Sequence, residues 1–183
     1  MVKVVVPNVK EFVCYSKNIT ELDLSHCSKL QNLVCYNNQF TELDLSHCPK
    51  LQRLHCNNNP LTELDLSHCP NLKILYCSDN QLTELHLSYC PNLQQLFCND
   101  NQLPQLDLSH CPNLQGLYCN NNQLTELNIL NNDKLTEYNY NWKDNPIYSN
   151  ETKACNHQHE NLYSDNGHFE CVDCGNIRKA KTT

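Results

Sequence analysis

Five residues near the end of the chain have the types and spacing of a metal site. Cys171 and Cys174 form a C-x-x-C pair followed by Gly175, and Cys155, His157 and His159 lie upstream. Two thiolates on one tight turn fix half of a tetrahedron. Cys155 and one of the two histidines supply the other half, and a closed four-ligand Cys/His set is the structural zinc arrangement. Asp165-Asn166-Gly167 reads as the hairpin turn that brings the halves together, with His168 on the hairpin and not on the metal. So short a segment has little core of its own, so one Zn2+ would supply most of its stability. A redox C-x-x-C pair is the competing chemistry, but no βαβ pattern surrounds the cysteines.

Eleven further cysteines follow a different rule. One series is Cys14, Cys35, Cys56, Cys77, Cys98 and Cys119; the other is Cys27, Cys48, Cys69, Cys90 and Cys111. Each recurs every 21 residues, and Leu30, Leu51, Leu72, Leu93, Leu114 and Leu135 keep the same beat. A fixed period of this length marks a solenoid. Stacked coils would set neighbouring cysteines roughly 4.8 Å apart, but parallel side chains point alike and suit a disulfide badly. They are read as free, small hydrophobes. The start, MVKVVVPNVKEF, is too soon interrupted for a secretory signal and reads as an edge strand. No apolar run approaches membrane-spanning length. The expectation is an intracellular, reducing compartment, the cytoplasm.

The coil that positions these residues is legible in Leu30–Lys50, LQNLVCYNNQFTELDLSHCPK. Leu33-x-Cys35 and Leu43-x-Leu45 each alternate with period two, as half-buried strands do. Turn formers separate them: Asn37, Asn38 and Gln39, then Ser46 to Pro49. There is no room for a helix. The expected fold is mainly β, a solenoid with two short parallel strands per coil.

This pattern resembles the short leucine-rich repeat class LxxLxCxxNxLxxLDLxxCxx, over about Val9 to Leu135 with a degenerate last coil reaching Pro146. The resemblance implies a binding surface and does not name its target. It fits an asparagine ladder, Asn38, Asn59, Asn80, Asn101 and Asn122, that bonds the backbone of its own and the next coil. At the ends, Lys17 and Lys143 stand where the ladder asparagine is expected, and Tyr138 and Tyr140 where Leu and Cys are; with Trp142 they read as a cap. The tail is similar to zinc ribbons in its CVDCG knuckle, with C-x-H-x-H in place of their usual first half. That likeness puts His157 slightly ahead of His159. The expected organisation is an edge strand over 1–8, a solenoid of six coils and a degenerate seventh over 9–146, a linker over 147–154, and a zinc-ribbon-like hairpin module with a basic end over 155–183.

Function must come from outward positions. On the first strand these include Val13, Val34, His55, Tyr76, Phe97 and Tyr118, then Asn139 at the end. Ile74, Tyr76, Phe97 and Tyr118 form an apolar stripe, with Val34 and Tyr36, beside Val13 and Tyr15, as a second cluster. Contiguous exposed apolar groups mark partner surfaces; packing against the tail or another copy is the competing use. The second half presents Glu21, Glu42, Glu63 and Glu84, then Asp23, Asp44 and Asp65, with His26, His47, His68 and His110 on the next turn. Such rows read as a solvated face that resists aggregation.

Net charge is −7: residues 1–150 hold nine Lys/Arg against fifteen Asp/Glu, and the rest four against five. An acidic array is a poor ligand for phosphate backbones. The zinc-ribbon likeness and the basic end, Arg178, Lys179 and Lys181, keep a nucleic-acid-associated factor as the alternative. No nucleophile–base order, phosphate loop or open metal site is visible. The expectation is a non-catalytic interaction or scaffold protein with a protein partner or larger assembly, and no membrane.

Overall fold

From the second to the eighth, each strand is a three-residue run with a leucine or phenylalanine at its centre and outward side chains on either side, set by the period-two alternation. The computed structural model describes residues 2–129, 131–135 and 140–146. Its strands are β1 (Lys3–Val5), β2 (Glu11–Val13), β3 (Glu21–Asp23), β4 (Asn32–Val34), β5 (Arg53–His55), β6 (Ile74–Tyr76), β7 (Gln95–Phe97), β8 (Gly116–Tyr118) and β9 (Tyr140–Asn141). β2, with β4 through β9, makes one seven-stranded parallel sheet in chain order, while β1 pairs with β3 apart from it. Register advances one coil at a time: Leu33 faces Leu54, Leu54 faces Leu75, and Leu75 faces Leu96. The described chain is a parallel β-solenoid.

Both halves of a coil close the core. Leu54, Leu75 and Leu96 point in from the strands, and Leu64, Leu66, Leu85 and Leu87 from the second half. All eleven array cysteines are buried and free. Burial pushes the thiols up, Cys56 and Cys69 to about 12 and Cys14 to about 11, so they pack as neutral groups.

The asparagine ladder joins each coil to the preceding one, not to the next. Asn80 Oδ1 accepts the Leu61 N–H at 3.1 Å, while Nδ2 donates to Cys56 O at 3.2 Å and to Cys77 O at 3.0 Å. One side chain thus satisfies three buried backbone groups across two coils. The residue before each ladder asparagine is left-handed: Asn37, Asn58, Asp79, Asp100, Asn121 and Asp144 have φ between 53° and 58°. Asn and Asp tolerate this region better than other residues with a Cβ.

Two further expectations need correction. Among the described residues the second half of the coil is a strand only once, at β3. There the Lys3 ammonium of β1 meets the Glu21 carboxylate. In the following coils the corresponding residues are Glu42, Glu63 and Glu84, and like charges facing each other oppose close pairing. An Asp side chain also takes the following Ser N–H, 2.9 Å at Asp44–Ser46 and 2.8 Å at Asp65–Ser67. The same bond forms at Asp23–Ser25, beside β3, so it does not set β3 apart; the Lys3–Glu21 pair does, and the uncharged Gln105, between Glu84 and Glu126 in the row, lies in no strand either. Inter-coil backbone bonds do remain on this side, such as Gln81 N–H to Leu61 O at 2.8 Å.

The last coil is longer than the sequence period implies. Tyr140 faces Leu117 and Asn141 faces Tyr118, a step of 23 residues. Leu135 and Asn132 keep the 21-residue beat after Leu114 and Cys111 and are buried. The two extra residues therefore enter between Leu135 and Tyr140. Asn145, not Lys143, is the ladder residue: it accepts Leu124 N–H and donates to Cys119 O, both at 3.0 Å. Tyr140 takes the leucine position and Trp142 the cysteine position, their rings stacked 4.3 Å apart against the core. Tyr138 and Asn139 lie outside the described residues.

Candidate functional site

The parallel register sets like positions of successive strands side by side, so the outward residues of β4 to β8 form a continuous row. Four rings in it stack face to face. His55–Tyr76, Tyr76–Phe97 and Phe97–Tyr118 have centroid separations of 4.4, 4.2 and 4.8 Å, with interplanar angles of 29°, 5° and 4°. Val34 continues the row beyond His55. Ile74 lies between Arg53 and Gln95 in the neighbouring row. Tyr36 stacks on Tyr15 at 4.8 Å with the planes parallel. The structure thus brings Tyr76, Phe97 and Tyr118 together, with Ile74 alongside, and places Val34 and Tyr36 toward the first coils. All are half-buried.

His55 belongs to this row as an aromatic. Choosing the stripe by hydrophobicity passes it over, although its position in the register marks it. Burial, and then the adjacent Arg53 charge, pull its pKa below the ordinary value, so it stacks as a neutral ring.

From β4 to β8 the charges of this face are one-sided; β2 of the same sheet carries Glu11, in register with Asn32. From the residue before each strand to the residue after the cysteine, β4 to β8 carry Arg53 and Lys73 and no carboxylate. Both cations are exposed; Arg53 is in register with Ile74 and Lys73 precedes Ile74 in the chain. Acidic groups begin at the next turn with Asp79 and Asp100. Burial first, and then Asp100, raise the Asp79 pKa.

The second half of the coil has a different character. Asp23, Asp44 and Asp107 are held below the ordinary carboxylate range by the hydroxyls and N–H groups of Ser25, Ser46 and Ser109, and Asp65 likewise by Ser67. The following histidine ring meets the serine hydroxyl, with Nδ1 to Oγ at 2.9 Å for His47 and His68 and 3.0 Å for His110. Among the described residues no group of three or more His, Cys, Asp or Glu side chains could hold a metal ion. Cys155, His157, His159, Cys171 and Cys174 lie outside the described residues. Among the described residues no helix is long and apolar enough to cross a membrane.

The family model for leucine-rich repeats, in two-copy form, matches residues 28–68, 49–89 and 70–110. No curated protein matches the sequence. Among solved structures, the chain is similar to the functional domain of InlJ from Listeria monocytogenes, which includes a cysteine ladder. The identity is 34% and the TM-score 0.70, over 76% of this chain and 30% of that one. An internalin, InlF, from the same organism is 26% identical with a TM-score of 0.61, over 67% of this chain and 38% of that one. A leucine-rich repeat protein of Leptospira interrogans shares the fold at 24% identity and a TM-score of 0.70, over 75% and 38%. The chain spans roughly a third of the length of these structures.

Proposed function

We propose that this chain, whose residues 28–110 are leucine-rich repeats, is a non-catalytic protein-binding module that engages its partner through the strand face. The observation that carries this reading is the half-buried ring row His55, Tyr76, Phe97 and Tyr118, with Ile74, Val34 and Tyr36 beside it. Aromatic side chains are enriched among the few residues that carry most interface energy. The row belongs to a rigid ladder, so little ordering cost falls on association. A non-catalytic role fits thiols held protonated by burial, which supply no thiolate nucleophile in the described part.

The test is the double substitution Tyr76→Ser/Phe97→Ser. The variant should keep its circular dichroism spectrum and cooperative unfolding, and lose the partner that the native chain retains in affinity capture from its source. Retention of every partner by a folded double variant would refute the reading.

We carry two further proposals with it. The tail residues Cys171, Cys174 and Cys155, with His157 or His159, hold one structural zinc ion. Metal analysis of the reduced chain should give one zinc per chain, abolished by alanine at one of the two histidines and not at the other. The free state of the array cysteines supports a reducing, cytoplasmic location; thiol titration of the denatured, unreduced chain should find these cysteines reactive.

A further inference from the structure

We infer that the partner of the strand face is an acidic, apolar polypeptide surface. The inference rests on the row being the binding face and adds what the row selects.

The first argument is ring geometry. At centroid spacings of 4.2 to 4.8 Å and small interplanar angles, each inner ring spends both faces on its neighbours. Tyr76 and Phe97, stacked on both faces, therefore offer a partner only their edges. Stacking of a nucleobase or a cation on this row would use a ring face. The edge of an aromatic ring is the positive part of its quadrupole, so it meets carboxylate and carbonyl oxygens and the faces of other rings.

The second argument is charge. The chain as a whole is at −7, yet the strand segments β4 to β8 carry Arg53 and Lys73 and no carboxylate. Arg53 is in register with Ile74 and Lys73 precedes it in the chain, so an acidic group on the partner would reach them while its apolar neighbours cover Ile74 and the ring edges. The second half of each coil, with Glu42, Glu63 and Glu84 exposed, repels the same partner. Attraction on one face and repulsion on the other orient an encounter before contact.

The test selects peptides from a random dodecapeptide library on the immobilised full chain, and keeps clones whose binding is lost in Tyr76→Ser/Phe97→Ser. These clones should combine Asp or Glu with aromatic or aliphatic residues. Selection on Arg53→Glu/Lys73→Glu should yield Lys- or Arg-bearing clones, and the acidic clones should bind that variant about tenfold or more weakly. Row-dependent clones without acidic bias, or the same clones from both proteins, would overturn the inference and leave the row as a binding face. The absence of any row-dependent clone would overturn both. Labelled single-stranded oligodeoxythymidylate and a soluble chitin oligosaccharide serve as the other arms; row-dependent binding of either would overturn the acidic-protein assignment.

Discussion

The strand half of a coil and its second half bury similar rows of leucine and cysteine, yet only the strand half builds the long sheet. Its outward residues attract one another: rings stack on rings from His55 to Tyr118. The second half sets Glu42, Glu63 and Glu84 in neighbouring coils. The contrast teaches that inward alternation places a residue in the core without by itself closing the backbone into a ladder. At β3 a lysine faces the glutamate and the strand forms, which makes the outward charges the first thing to vary.

The largest expected effect tests what the halves share. Both contain a thiol row pushed above its ordinary value of 9.0, to about 12 at Cys56 and Cys119 in one half and at Cys48, Cys69 and Cys90 in the other. Below pH 9 these thiols are neutral in both the folded and the unfolded chain. As pH rises past 9, the unfolded chain loses thiol protons first, so stability should fall from there toward pH 12. The urea midpoint should drop steeply over this range, and less steeply once Cys56 and Cys77 are alanine. A midpoint that holds steady would show that the thiols ionise without unfolding.

Next in size is the core. Leu75 of the strand half and Leu87 of the second half are 0% and 2% exposed. Alanine at either should cost about 2–5 kcal/mol by denaturant unfolding. Similar losses would mean that the sheet adds little to what the core supplies. A far larger loss at Leu75 would break the comparison and assign the stability to the ladder.

The smallest effect aims at the difference itself. Glu63→Lys places a cation between Glu42 and Glu84 and should stabilise the array by about 0.2–1 kcal/mol. Amide hydrogen exchange over 63–65 should slow as the second half approaches strand pairing. Unchanged exchange with unchanged stability would mean that something other than charge keeps these coils from forming a second sheet.

Much of the fold is legible in the amino-acid sequence. The period, the leucine and cysteine rows and the asparagine ladder follow from spacing alone, because every coil must bury the same positions. The missing second strand is not legible from LTELDLS, whose alternation is real but describes burial rather than pairing. The last coil misleads because Tyr138 and Tyr140 fall on the 21-residue count. The corrective signal is the dipeptide Asp144-Asn145, which repeats the left-handed residue and ladder asparagine of Asp79-Asn80 and Asp100-Asn101. At the candidate site, Tyr76, Phe97 and Tyr118 are legible as a stripe. The ring stacking and the place of His55 in it depend on inter-strand spacing and side-chain rotation, which sequence does not carry.

Equal coil length also makes the array a mechanical element of defined steps. A coil of 21 residues advances the stack by about 4.8 Å when folded and reaches roughly 70 Å when drawn out. Force applied along the axis pulls adjacent strands apart in turn, rather than shearing the whole sheet at once. Single-molecule extension should therefore show repeated increments of about 65 Å. The last coil, two residues longer, should give a step about 7 Å greater, a built-in mark of which end has yielded.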